Sequence, residues 1–254
     1  MILYIFRGDY EMKYALEIVD LCKSYGTFAV KDASFSLPTG SIMGFVGPNG
    51  AGKTTTLKSI LNMLIYDSGE IRILGETDRK KVKDDIGVVM DNTFYEDEWR
   101  LYDVEKAMRL FSARWDSAAF DRHLAAFGLD KNKRVEDLSR GMGVKLTIAA
   151  ALSHDAKLLI LDEPTSGLDP VARDELCEIL LDYVKDNNRS ILFSTHITSD
   201  LEKIADYITF IMDGKITFSG SIQDVYSNFR PIYGENVNLD DIVVRMAKEG
   251  RKSR

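Results

Sequence analysis

Cysteine is scarce in this chain: Cys22 and Cys177 are the only two in 254 residues, far apart and without CxxC spacing or neighbouring histidines. That excludes a disulfide scaffold and a zinc site of ordinary ligand spacing, and it points to a reducing compartment. No apolar run approaches the roughly 20 residues that a membrane-spanning helix needs. The opening Met1-Ile2-Leu3-Tyr4-Ile5-Phe6 lacks a basic leader and is too short for a signal peptide. Positive charge is in deficit, with 33 Lys and Arg against 40 Asp and Glu and a formal net charge of −7. Phosphate backbones are gripped by a positive field, so no nucleic-acid partner is expected. Repeats of domain size and low-complexity stretches are missing too. Hydrophobic residues make up 45% of the chain, enough for a packed core, so wholesale disorder is excluded.

Regular structure is expected from about residue 15. Residues 1–11 have no clear period, and Arg7-Gly8-Asp9 can be written in purine-rich codons like those that precede a start. Met12 is therefore the expected natural start, and residues 1–11 a non-native or disordered extension. Leu16-Glu17-Ile18-Val19 and Ala33-Ser34-Phe35-Ser36-Leu37 alternate as half-exposed strands do. Ile42-Met43-Gly44-Phe45-Val46 reads as a buried strand, residues 54–64 as a helix, and Ile86-Gly87-Val88-Val89-Met90 as a further strand. Residues 102–127 turn helical: Val104, Met108, Phe111 and Trp115 form one stripe, and Phe120, Leu124 and Phe127 resume it after a break at Asp116. Leu158-Leu159-Ile160-Leu161 has the continuous apolar character of a central strand covered on both faces. Leu176, Ile179, Leu180 and Tyr183 mark a helix, and Ile191-Leu192-Phe193 another buried strand. Asp213-Gly214 is a hairpin turn between residues 207–212 and 215–218. The alternation predicts an α/β fold, a mostly parallel sheet with an inserted helical subdomain.

Gly47-Pro48-Asn49-Gly50-Ala51-Gly52-Lys53-Thr54 fits G-x-x-x-x-G-K-[ST] between a strand and a helix. With glycine near 7% of residues, a chance match in such a chain is about a one-in-a-hundred event. Glycines let backbone amides turn inward into a nest for β-phosphate oxygens. The helix start adds its positive dipole end. Lys53 supplies charge to the β/γ oxygens, the Thr54 hydroxyl can hold Mg2+, and Thr55 extends the nucleotide-contacting run. This is a triphosphate site. Guanine is disfavoured because Asn132-Lys133-Arg134-Val135 breaks the N-K-x-D reading sequence at its fourth place.

Asp162-Glu163 follows the buried strand at its carboxyl end, where open α/β sheets collect ligands. Asp162 can hold Mg2+ through water while Glu163 orients or deprotonates the attacking water. His196 follows the strand ending Phe193-Ser194-Thr195, again at a carboxyl end, and is placed for a γ-phosphate contact. His123 and His154 read as structural.

These pieces together resemble the nucleotide-binding domain of ABC transporters over residues 16–233. Leu138-Ser139-Arg140-Gly141-Met142 is similar to the LSGGQ signature. Leu161-Asp162-Glu163-Pro164-Thr165-Ser166-Gly167-Leu168-Asp169 is similar to the Walker B strand and D-loop. The resemblance implies a P-loop NTPase fold with a mostly parallel core sheet, an N-terminal antiparallel β subdomain and an inserted α-helical subdomain near residues 92–152. The ATPase domain would span residues 12–234, with a short helix and basic tail at 235–254. It further implies that Tyr25 stacks on adenine, that His196 is the switch histidine, and that Ser139 and Gly141 face the γ-phosphate held by a second subunit. Arg140 and Met142 replace the usual Gly and Gln. Asp91 stands where the family's Q-loop glutamine does; its oxygen can ligate Mg2+ but cannot donate as glutamine would. Altered metal dependence with retained ATPase activity is the expectation.

Between Lys53 and Ser139 there is no room for the long coiled coil of chromosome-maintenance members, and the single copy differs from translation-factor members. The absence of a long C-terminal regulatory domain points away from sugar importers. The resemblance thus implies an exporter-type ATPase at the cytoplasmic face of the membrane, working with a separately encoded integral membrane permease and a second ATPase subunit. The alternative is a soluble ABC ATPase with a cytosolic partner, as in iron–sulfur cluster assembly. The aromatic run from Phe94-Tyr95 to Trp99 suits permease docking, or Trp99 caps the helical core.

Overall fold

The computed structural model describes residues 13–90, 95–186 and 188–252. Residues 1–12, with the proposed extension and start, and Asp91 lie outside them. Strands β1 (Tyr14–Tyr25) and β2 (Phe28–Pro38) form an antiparallel hairpin. Next come β3 (Ile42–Val46), α1 (Lys53–Ile60) and β4 (Ser68–Ile73), the last pairing with β1 to complete a three-stranded antiparallel sheet. Then follow α2 (Arg79–Val82), β5 (Ile86–Val89), α3 (Leu101–Phe111), α4 (Ser117–Ala126) and α5 (Arg140–Leu152). The chain continues through β6 (Leu158–Asp162), α6 (Pro170–Val184), β7 (Ser190–Thr195) and α7 (Thr198–Ile204). It finishes with the hairpin β8 (Tyr207–Met212) and β9 (Lys215–Ser221), then α8 (Ile222–Tyr233) and α9 (Leu239–Lys252). The second sheet has the order β5-β6-β7-β3-β8-β9, parallel except for β9.

Successive side chains of a strand point to opposite faces, and that alternation divides the core. Met43, Phe45, Leu158, Ile160 and Leu192 pack toward the antiparallel sheet and α1. Ile42, Val46, Leu159, Leu161, Ile191 and Phe193 pack toward the helices. Both faces are therefore apolar, as the unbroken runs of β3, β6 and β7 require. Phe35 stacks on Phe45 at 5.2 Å between centroids, joining the two sheets.

The β8–β9 turn holds Asp213 at φ +48° and Gly214 at φ +76°, the two positive values of a tight hairpin. Its position is as constrained as its shape. Gly214 N donates to Ala51 O at 2.9 Å, while Lys31 N donates to Gly214 O at 2.8 Å. A Cβ on Gly214 would stand 1.8 Å from Ala29 O. The turn is thereby clamped between β2 and the glycine-rich loop.

In the helical insertion, Asp116 caps α4 by accepting from Ala119 N at 2.9 Å, which explains the break in the apolar stripe. Phe120, Leu124 and Phe127 are buried, with Trp115 against Phe120. Phe111 departs from the expected stripe: it is 76% exposed, beside Leu110 at 87%. The reason is local. Helix α3 stops at Phe111 and Ser112 is extended (φ −122°, ψ 120°), so Trp115 reaches the core from outside the helix. Helix α1 likewise ends at Ile60, short of the expected 64, with Asn62 left-handed at φ +56° just beyond. Trp99 is part-buried against the helical core.

Candidate nucleotide site

Strand register brings the site together. Val46 pairs with Thr195 and Asp162 with Ser194, so the loops leaving β3, β6 and β7 emerge side by side at their carboxyl ends. The loop after β3 turns on Gly50 (φ +79°) and Gly52 (φ +112°), the latter being the residue that starts α1. These are conformations that a Cβ resists. Gly47 is needed for a different reason: a Cβ there would lie 2.2 Å from Ile211 O on β8. Gly47→Ala is expected to cost about 1–3 kcal/mol of stability through overpacking, and to weaken ATP binding because the loop must shift. Thermal unfolding with and without ATP checks both.

Lys53 is 6% exposed, and its Nζ donates to Gly47 O at 2.7 Å and Pro48 O at 3.4 Å. Pro48, Asn49 and Ala51 line the same turn. The Thr54 hydroxyl donates to Asp162 Oδ2 at 3.0 Å, while Thr55 follows in a half-buried position on α1. Asp162 is buried, and burial lifts its carboxyl above the usual range, with the Glu163 charge adding to it. The Thr54 and Ser194 hydroxyls beside it and the Lys53 charge pull the other way. Asp162 Oδ1 makes no hydrogen bond of standard geometry among the described residues. A buried, lifted carboxylate with an uncommitted oxygen next to a threonine hydroxyl is a hard-oxygen donor set that suits Mg2+. Among the described residues no group of three His, Cys, Asp or Glu side chains could hold a metal unaided. A cation at this place would thus need oxygens from the nucleotide, which is how Mg2+ is usually carried at phosphate sites.

Glu163 is the pivot of the cluster. Its Oε1 lies 3.4 Å from Lys53 Nζ, and its Oε2 faces His196 Nδ1 at 2.7 Å and accepts from His196 N at 3.3 Å. Its backbone is left-handed at φ +52°, a conformation worth about 1–3 kcal/mol of strain for a non-glycine residue. The hydrogen bond from its N–H to Ser194 O (2.8 Å) and that from Ser166 N to its carbonyl (3.0 Å) hold it there. The side chain of His196 is 47% exposed.

Ser139 and Gly141 stand apart from this cluster. Ser139 caps α5, accepting from Met142 N at 3.3 Å. A Cβ on Gly141 would meet Leu168 at 3.1 Å, and Arg140 Nη2 donates to Ser166 Oγ at 3.4 Å, so this helix start rests on the segment that leaves Glu163. Among the described residues no hydrogen bond or ion pair joins Ser139 or Gly141 to Lys53, Asp162, Glu163 or His196. Tyr25 ends β1 with an exposed ring, and Lys23 Nζ lies 5.5 Å from its centroid. Sequence reasoning left out Ser194, whose hydroxyl flanks Asp162; an isolated serine in an apolar strand offers no signal until the strands are paired.

A family model described as ABC transporter matches residues 30–166. The chain belongs to the ABC transporter ATP-binding family. It is 31% identical over 225 residues to the bacitracin transport ATP-binding protein BcrA of Enterococcus faecalis, spanning 86% of this chain and 73% of that protein. It is 32% identical over 222 residues to the lantibiotic transport ATP-binding protein SrtF of Streptococcus pyogenes, covering 84% of this chain and 96% of that one. A solved structure titled as the ATP binding subunit of an ABC transporter superposes with a TM-score of 0.80 at 27% identity, covering 91% of this chain and 99% of that one. The family and fold read from the sequence are borne out. This ABC protein binds ATP and is an ATPase, the activity with which the family powers transport.

Proposed function

We propose that the chain is the ATP-hydrolysing subunit of an exporter, acting as a head-to-tail dimer on a separately encoded integral membrane permease at the cytoplasmic face of the membrane. One observation supports this reading above others: the chain's phosphate-facing groups fall into two sets that do not touch. The Lys53–Asp162–Glu163–His196 cluster is one, and the α5 start at Ser139 and Gly141 is the other. In this proposal each chain offers its second set to the nucleotide of its neighbour, where a serine cap, exposed amides and a helix dipole favour an anion. Export fits because the relatives named above serve bacitracin and lantibiotic transport.

Roles within the site follow from its geometry. Lys53 and the amides of the loop from Gly47 to Gly52 grip the β- and γ-phosphates, and Tyr25 stacks on the base. Thr54 and Asp162 would hold Mg2+, which when bound spreads the phosphate charge. Asp91 remains a proposed further ligand. Glu163 takes the proton of the attacking water, and His196 keeps that carboxylate turned toward the γ-phosphate. Residues 12–234 are proposed as the ATPase domain, with 92–152 as its helical insertion.

Docking is proposed at the junction of β5, α3 and α5. A cavity of about 240 Å³ opens there, lined by Val88, Tyr95, Met108 and Phe111 among others. Phe111 is an exposed apolar side chain of its lining, whereas Trp99 packs against the helical core. No helix among the described residues is long and apolar enough to cross a membrane, so attachment would be through such a partner. Phe111→Asp is expected to change stability by no more than about 0.5 kcal/mol, as exposed substitutions do. It should nevertheless abolish co-purification of an integral membrane protein with the chain from detergent-solubilised membranes. Undiminished recovery of that protein, or recovery of cytosolic partners alone, would defeat the proposal.

A further inference from the structure

Outside the cluster, a well-buried ion pair joins Arg173 on α6 to Asp200 on α7. Arg173 Nη2 donates to Asp200 Oδ1 at 2.6 Å and its Nε donates to Oδ2 at 3.3 Å, while Nη2 also donates to Ser199 Oγ at 3.3 Å. The Asp200 side chain is 4% exposed. A two-pronged guanidinium–carboxylate contact fixes orientation as well as distance, and a lysine cannot reproduce it.

What matters is where the two helices come from. Asp169 starts α6, accepting from Val171 N and Ala172 N at 3.0 Å, and Arg173 N donates to Asp169 O at 3.0 Å. Asp169 closes the segment that leaves Glu163. Helix α7 begins at Thr198, two residues after His196, with Ile197 N bonded to Thr195 Oγ1 at 2.9 Å between them. The Arg173–Asp200 contact therefore ties together the two segments that depart from Glu163 and His196. Lys203 and Asp174 pair between the same two helices. Among the described residues the imidazole has a single side-chain hydrogen-bond partner, Glu163, so its position depends on the backbone of the β7–α7 connection. Cohesion of the helices does not need the ion pair, because Leu176, Cys177, Leu201 and Ile204 are buried in the same core. A buried charge pair adds little stability over an apolar replacement.

We propose that Arg173 and Asp200 are positioning residues for ATP hydrolysis: they lock α7 to α6 so that His196 stays in reach of Glu163 while the D-loop segment, residues 164–169, moves with it. This rests on the roles proposed above for Glu163 and His196. The consequence is a defect in turnover rather than in binding.

The test is steady-state ATP hydrolysis by purified Arg173→Met, Asp200→Asn, Arg173→Lys and the Arg173→Met/Asp200→Asn double variant, with His196→Ala alongside. Misplacing a catalytic group by about an ångström costs up to roughly a hundredfold. We expect kcat to fall tenfold or more in Arg173→Met and Asp200→Asn, with KM for ATP within about twofold. Arg173→Lys should recover part of the loss, and the double variant should be no worse than either single one, because the two residues act as a unit. Thermal unfolding identifies a variant that fails to fold, and the remaining three then decide. Unchanged kcat in Asp200→Asn and Arg173→Met while His196→Ala is impaired overturns the positioning role alone. Full turnover in His196→Ala overturns the roles on which it rests.

Discussion

Glu163→Gln is expected to lower ATP turnover by about 10²- to 10⁴-fold, the range that a positioned general base supplies, while ATP binding persists. Glutamine fills the same volume and its carbonyl oxygen can still accept from His196, so the contact now measured at 2.7 Å has a neutral counterpart. What is lost is the capacity to take a proton from water. Loss of the carboxylate charge beside Lys53, 3.4 Å away, frees that ammonium for phosphate, so affinity should not decline. The nucleotide-bound dimer then accumulates, because the step that would part it is blocked. Single-turnover hydrolysis measures the first effect and light scattering with ATP the second. A rate within threefold of the parent protein would remove Glu163 as the base, and a scattering mass that stays monomeric would remove the proposed dimer.

Lys53→Met should weaken ATP binding by about 30- to 140-fold. Charge-assisted hydrogen bonds contribute about 2–3 kcal/mol when a charged partner is removed, and about 1.4 kcal/mol corresponds to a tenfold change. Methionine keeps most of the buried stem, so the fold should survive. Titration with a fluorescent ATP analogue measures the affinity. A change smaller than twofold would show that the backbone amides and helix dipole bind the triphosphate without the lysine.

How much of this was legible beforehand depends on how local each cause is. The glycine-rich loop was readable because its demands are made by neighbouring residues: Gly50 and Gly52 adopt the positive φ that the spacing implied. Strands β3, β6 and β7 were equally open to reading, since an apolar run covered on both faces leaves a continuous mark. The Asp213-Gly214 turn was visible for the same reason. Phe111 was misplaced because its period is perfect, while the end of α3 is set by the extended backbone at Ser112. Gly47 was assigned a conformational reason, yet its constraint comes from Ile211 on β8, distant in sequence. Arg173 and Asp200 carried no signal, because an arginine and an aspartate on two separate helices are two ordinary surface residues until those helices dock. The strained backbone of Glu163 was hidden likewise, being held by Ser194 across a strand pair.

The clamped turn at Gly214 has a temporal side. During synthesis every residue from Gly47 to Thr54 leaves the ribosome long before Ile211, which meets that loop at Gly47, and Gly214, which meets it at Ala51. A nascent or prematurely ended chain thus carries the whole phosphate-binding sequence on an unbuttressed floor. The floor of the phosphate loop is therefore in place only once β8 and its turn have been made.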